Sequence, residues 1–186
     1  GHTMHSSEEE ARTETLKMLD IYDELGKELL AVPFVKGQKT EKEKFAGAIN
    51  TYTIEALMHD GKALQSGTSH YFGQRFSKAY DISFADRNNE LAYVYQTSWG
   101  VSTRMIGGLI MVHSDDNGLI LPPKIAPIQV VIVPIGKSEQ VPALAQEIAD
   151  KLKANGISVK VDNSEKSPGF KFAEAEVNGI PVRIEL

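Results

Sequence analysis

Tyr93-Val-Tyr-Gln-Thr-Ser-Trp-Gly-Val-Ser-Thr-Arg-Met-Ile-Gly-Gly-Leu-Ile-Met-Val-His113 is the stretch whose reading decides the fold. Its first part alternates aromatic and β-branched residues with polar ones, which predicts a strand over Tyr93 to Trp99. Gly100 then breaks the strand. Ser102 and Thr103 are both good capping types, so a helix is expected to start there and run through Met105, Ile106, Leu109, Ile110 and Met111. That helix is apolar on nearly every side and is expected to be buried. Arg104 does not fit: the helix dipole disfavours a cation in the first turn by roughly 0.3–1 kcal/mol. Two explanations stand: a salt bridge to a nearby carboxylate, or an anion held between Arg104 and the free backbone N–H groups, as phosphates are at helix N-termini.

The rest of the composition bounds the answer. A chain of 186 residues makes one domain or two small ones, at roughly 100–200 residues per domain. With 41% hydrophobic residues it can bury a core. A net charge of −5 and a pI near 5.6 argue against non-specific nucleic-acid binding by overall field, but leave room for a local basic patch. Cysteine is absent, so disulfides, thiolate metal sites and thiol nucleophiles are all excluded. No apolar run reaches the roughly 18–20 residues that span a bilayer, and the polar, acidic start does not read as a signal peptide. A soluble cytoplasmic protein without a membrane partner is the expectation.

Upstream of the central stretch, Gly-His-Thr-Met-His (1–5) reads either as a vector scar or as the cut end of a longer protein; His2 and His5 are weak evidence for a metal. A helix is predicted over 7–30. Ser7 caps it, Glu8, Glu9 and Glu10 fill its first turn, and Leu16, Leu19, Tyr22, Leu25 and Leu29 form one apolar face. A short strand is expected over 31–35, ended by Gly37, and another over 51–58, followed by an Asp60-Gly61 turn. In the next segment Gln65, Thr68 and His70 alternate with small or apolar neighbours, as on a strand with one wet face; such a face meets water or lines a ligand pocket. A short helix over 74–79 and strands over 82–85 and 91–99 complete an α+β pattern, an antiparallel sheet with helices packed on it.

Downstream, Asn117-Gly118 reads as a turn, and the adjacent Asp115 and Asp116 read as solvated acids or, alternatively, as Mg²⁺ ligands. Leu121-Pro-Pro-Lys-Ile-Ala-Pro127 is a stiff connector. The expected division is therefore 1–121, a connector at 122–128, and a second, mixed α/β domain over 129–186. There the β-branched run 129–133, a helix over 142–154 and a strand over 157–161 predict a right-handed βαβ unit. Pro168-Gly169 opens a further helix, and 180–186 reads as a strand on which the domain looks unfinished.

Taken together, several blocks resemble one family. Gly67-Thr-Ser-His70, Gln96-Thr-Ser-Trp-Gly-Val-Ser-Thr-Arg104, Met111-Val-His-Ser-Asp-Asp-Asn-Gly118 and Leu121-Pro-Pro-Lys-Ile-Ala-Pro-Ile-Gln-Val-Val-Ile-Val-Pro134 are similar to prolyl-tRNA synthetases, as are Lys39-Thr-Glu-Lys-Glu-Lys-Phe-Ala-Gly47 and Pro168-Gly-Phe-Lys-Phe172. The likeness is to the archaeal and eukaryotic-like type, which some bacteria also carry, and it runs through the chain in unbroken order. It implies part of a class II catalytic domain, an antiparallel sheet with helices, followed by part of an anticodon-binding domain. The implied reaction joins proline and ATP, with Mg²⁺, into prolyl-adenylate and passes proline to tRNA(Pro). Positioning and phosphate neutralisation supply the rate, with no protein nucleophile.

Carried over by position, the resemblance makes Arg104 the catalytic arginine of the third class II motif, meeting the nucleotide. Gln65, Thr68 and Ser102 would complete the ATP site. His70, Trp99 and Gly100 would line the proline pocket; Gly1-His2-Thr3 resembles the residues just after the second class II motif, so it is expected to be native sequence, with His2 bordering the same pocket. Lys171 would contact tRNA, and no residue is assigned to a metal. The first class II motif, which builds the family's homodimer, is absent, as are the arginine of the second motif and the Thr-x-Glu segment that reads the proline imino group. The chain thus reads as an internal fragment, expected to be inactive by itself. The alternatives are a non-catalytic synthetase-like module that binds nucleotide or RNA, and a synthetase for threonine, histidine or glycine.

Overall fold

A computed structural model describes residues 1–136 and 138–186. They divide into two compact units, Gly1–Gly108 and Leu109–Leu186.

The first unit is built on a five-stranded antiparallel sheet. Its strands are β1 (His2–His5), β2 (Phe34–Gln38), β3 (Asn50–Leu57), β4 (Ala63–Gly73) and β7 (Tyr95–Val101), in the order β1-β7-β4-β3-β2. Helix α1 (Glu8–Leu25) covers one face. Local chemistry starts this helix: Ser7 accepts the N–H of Glu10 at 3.2 Å, and the Glu10 carboxylate reaches back to the N–H of Ser6 at 3.2 Å. That reciprocal pairing satisfies donors the first turn leaves free. A wider π-type turn, Gly26–Leu30, follows, and Ala31 ends it in the left-handed region at φ 52°. Leu19 and Tyr22 of α1 pack against Ile54 and Met105, with Tyr52 and Trp99 alongside. Ser69 donates to the Thr15 carbonyl at 2.7 Å and ties the sheet to the helix.

Of the differences from the sequence reading, three bear on how the strands are laid out. The strand expected over 31–35 lies at Phe34–Gln38 and keeps Gly37, which pairs with Thr53. Ala31 is still finishing the helix and Pro33 has no N–H to donate, so the strand starts later. The single strand expected over 91–99 is two. Leu91–Tyr93 (β6) forms a small hairpin with Ser83–Ala85 (β5), and buried Val94 separates it from β7. Gly100 does not end β7; it pairs with Thr68, and Val101 pairs with Gly67. Ladder pairing to β4 overrides the local weakness of glycine in a strand.

The segment between β4 and β5 forms α2 (Arg75–Ala79), and α3 runs from Arg104 to His113. Helix α3 was expected to be buried all round, but it buries only one side. Met105 and Leu109 are at most 9% exposed, whereas Ile106 is 59%, Ile110 38% and Met111 49% exposed. At about 100° per residue these fall on a different side of the helix from Met105.

In the second unit, β8 (Val130–Val133) is the middle of a parallel three-stranded sheet, flanked by β9 (Val159–Val161) and β10 (Val182–Glu185). Every residue of β8 is buried. Val130 and Ile132 meet Ala145 and Ala149 of α4 (Gln140–Ala154), while Val131 and Val133 meet Ala175 and Phe172 of α5 (Pro168–Val177). A strand covered on both faces needs an unbroken apolar run, which is what 130–133 supplies. Ser167 caps α5 by accepting the N–H of Phe170 at 3.4 Å. No helix among the described residues is long and apolar enough to cross a membrane.

Candidate functional site

Side chains of a strand alternate between faces, and residues paired across antiparallel strands share one. Ser69 binds α1, so its neighbours Thr68 and His70 point to the other face. Pairing carries that face across the sheet. His70 stands opposite Thr51 on β3 and Ser98 on β7, Ser98 stands opposite His2 on β1, and Thr68 stands between Thr53 and Gly100. The result is a polar face made of short hydroxyls, with His70 at its centre.

The imidazole is held at both nitrogens. Thr51 Oγ1 lies 3.0 Å from Nδ1 and Thr68 Oγ1 3.0 Å from Nε2. Phe72 stacks on its ring with centroids 5.9 Å apart, and Phe45 leans over it at 5.3 Å. Burial, and after it the ammonium of Lys39, pushes His70 below its ordinary pKa of 6.5. The ring is therefore neutral at pH 7 and adds no charge to this face of the sheet.

Along the same strands, Gln65, Thr68, Gly100, Ser102 and Arg104 line an open groove of about 330 Å³. A methyl group built on Gly100 would meet nothing within 4 Å, so the glycine keeps the groove floor low. Ser102 accepts the N–H of Arg104 at 3.2 Å and begins α3. Arg104 is exposed, and its Nη1 donates to the carbonyl of Gln65 at 3.3 Å. Among the described residues no carboxylate pairs with it, so of the two explanations for a cation at this helix start, the salt bridge is not realised.

Two expected site residues are elsewhere. Trp99 lies one residue off the His70–Ser98 pair, opposite Ser69, and therefore on the α1 face, where it packs with the Ile54 and Met105 cluster. Partly buried, it packs on that cluster, on the face of the sheet opposite to His70. Lys171 is 6% exposed, and its Nζ donates to the carbonyl of Asp162 at 2.9 Å. It anchors α5 inside the second unit and does not offer its charge to a surface ligand. Asp115 is engaged in its own turn, accepting the N–H of Asn117 at 2.8 Å. Among the described residues, no three side chains of metal-ligating type cluster together.

The residues missed from sequence are Phe45, Phe72 and Thr51. Phe45 sits in a charge-alternating segment that reads as solvent-exposed, and it is 53% exposed, but only tertiary packing brings its ring beside His70. Thr51 carries a periodic signal, since it alternates with Tyr52 on a predicted strand, but nothing local identifies it as the partner of His70.

An antiparallel sheet with one helix-covered and one polar face, followed in the chain by a parallel α/β unit, is the arrangement that the resemblance to class II aminoacyl-tRNA synthetases implies. Residues 129–186 match the anticodon binding domain family. Over its full length the chain is 62% identical to proline–tRNA ligase 2 of Bacillus cereus and 58% identical to a proline–tRNA ligase of Ruminiclostridium cellulolyticum, spanning 39% of each. The solved structure of prolyl-tRNA synthetase from Cryptosporidium parvum, complexed with L-proline and AMP, matches all of this chain and 41% of its own, with a TM-score of 0.95 at 42% identity. Within the class II synthetases, the chain is a stretch of the proline–tRNA ligase family. It spans about two-fifths of the length of the curated relatives it matches.

Proposed function

We propose that this chain carries the nucleotide and amino-acid face of a proline–tRNA ligase, which activates proline with ATP and transfers it to tRNA(Pro). The observation that carries the reading is Arg104: a cation at a helix start, without a carboxylate partner among the described residues, beside a groove floored by Thr68 and Gly100. An anionic phosphate gives the exposed guanidinium a charged partner; the N–H groups of Arg104, Met105 and Ile106 are already bonded to Ser102 and Thr103. Gln65, Thr68 and Ser102 line the nucleotide end of the groove. His70, Gly100 and His2 border the proline end, with Phe45 and Phe72 as its apolar wall. Catalysis follows from holding two substrates in register and neutralising phosphate charge as it shifts. Mg²⁺, if carried in on the nucleotide's own phosphates, would supply charge neutralisation there.

The domain organisation we propose is 1–121, a connector at 122–128, and 129–186 as part of the tRNA-reading domain. In the latter, Phe170 is 55% exposed, and the Lys166 ammonium lies 4.7 Å over its ring. That ammonium also pairs with both carboxylate oxygens of Glu174 at 2.9 Å, so the exposed ring is the feature that fits an unstacked RNA base better than buried Lys171 does. The full-length enzyme is proposed to be a cytoplasmic homodimer. The 186-residue chain by itself is proposed to bind substrate without aminoacylating.

Calorimetric titration with a non-hydrolysable prolyl-adenylate analogue tests the reading, with the alanyl analogue and an Arg104→Ala variant as controls. Binding that prefers prolyl and needs Arg104 supports it. Absence of binding by a cooperatively folded chain, or equal binding of both analogues, counts against it.

A further inference from the structure

The rings around the polar sheet face form a connected series that leads away from His70. Phe45 lies 5.9 Å from Phe72, Phe72 lies 5.1 Å from Phe76, and Phe76 lies 6.5 Å from Tyr80, the last two rings within 17° of parallel. Packing explains Phe72, which is 8% exposed, while Phe45, over His70, is 53% exposed. Packing does not explain Tyr80, which is 73% exposed at the outer end of the series. Arg75 and Lys78 stand on the same short helix and are exposed. Among the described residues neither forms an ion pair; Arg75 instead donates to the carbonyl of Ala48 at 3.2 Å. The nearest acid in sequence, Asp81, is engaged by the hydroxyl of Tyr93 at 3.1 Å.

We infer that Tyr80 is a stacking platform for the single-stranded 3′ end of an RNA acceptor, with Arg75 and Lys78 meeting its phosphates. The inference rests on the reading above, in which an amino acid activated beside His70 is passed to RNA. An unpaired RNA end must then approach that pocket from the surface. An exposed aromatic ring with unpaired cations, joined to the pocket by a series of rings, is the chemistry that binds single-stranded RNA without reading its sequence.

The test measures binding of a short RNA hairpin with an unpaired 3′ tail to this chain by fluorescence anisotropy, against the same hairpin with a blunt end. The tail is expected to strengthen binding about tenfold, the scale of one base stacked on an aromatic ring. Tyr80→Ala should remove that increment and Tyr80→Phe should keep it. Lys78→Ala should lower the slope of log K against log salt by roughly one phosphate contact. A tail that adds nothing, or an increment that survives Tyr80→Ala, overturns the platform. The prolyl-adenylate titration is run in parallel on the same samples. Its loss in the unsubstituted chain would count against the pocket reading, whereas its persistence in Tyr80→Ala without the tail increment supports the platform specifically.

Discussion

Thr68 on β4 stands directly across from Gly100 on β7, and the space above Gly100 is open. A side chain at position 100 would therefore project into the groove without disturbing the sheet. Gly100→Val is expected to fold with an unchanged or slightly raised melting temperature, since valine favours strands. Its affinity for the prolyl-adenylate analogue should fall at least tenfold. A variant that binds normally would remove Gly100 from the site.

Arg104 contributes to the groove and little to the fold, because its guanidinium is exposed and donates to a single carbonyl. Arg104→Ala should leave the urea midpoint of the chain nearly unchanged. In the proposed full-length ligase it should slow adenylation by about 10²–10³-fold, the scale for one preorganised charge contact. Pyrophosphate exchange measures this, and a loss under threefold would exclude the role.

His70 makes a pH-dependent prediction. Its folded pKa is depressed, so the unfolded chain binds its proton more readily than the folded one. The contribution to stability is thus present above the ordinary value of 6.5 and is lost as pH falls towards the depressed folded value. His70→Gln should flatten the stability profile over that window relative to the unsubstituted chain. Lys39→Met should move the His70 titration, followed by NMR, back up towards the ordinary value, though only in part, because burial is the larger cause.

Trp99→Ala should act on the core. Removing a large ring from a packed cluster costs about 3–5 kcal/mol when the site is fully buried, and Trp99 is only partly so. A loss of about 2–3 kcal/mol in urea unfolding is therefore expected. Trp99→Phe should restore most of the stability and leave the preference for prolyl over alanyl intact. If Trp99→Phe keeps stability and abolishes that preference, Trp99 belongs to the pocket after all.

Lys171→Ala breaks a buried hydrogen bond to the Asp162 carbonyl. It should destabilise the chain by about 1–3 kcal/mol, while RNA affinity at matched folded fraction stays within twofold. Phe170→Ala should do the reverse, with little effect on melting and weaker RNA binding.

These residues also mark how far the sequence could be read. Helix α1 was legible because Ser7, the acids behind it and the Leu19–Tyr22 spacing act within a few residues of one another. Strand β8 was legible because a β-branched run buried on both faces has no polar positions to hide. The position of Trp99 was less accessible. A block such as Thr97-Ser-Trp-Gly-Val-Ser-Thr-Arg104 marks a site, but period-two alternation sends half of its side chains to the opposite face. Which half faces the groove depends on the register with β4, set by the pairing of Ser69 with Trp99.

Sequence alone therefore determined the order and type of the main elements, the α+β sheet followed by an α/β unit, the proline–tRNA ligase family, and Arg104 as a cation out of place at a helix start. All of these rest on interactions or patterns local in the chain. Only the tertiary structure decided that His70 is gripped by Thr51 and Thr68 beside Phe45, that Trp99 packs on the α1 face of the sheet and Lys171 is buried, and that Tyr80 ends a series of rings at the surface. Those facts depend on strand register and on packing between residues far apart in the chain, where one residue of slip exchanges the buried face for the exposed one.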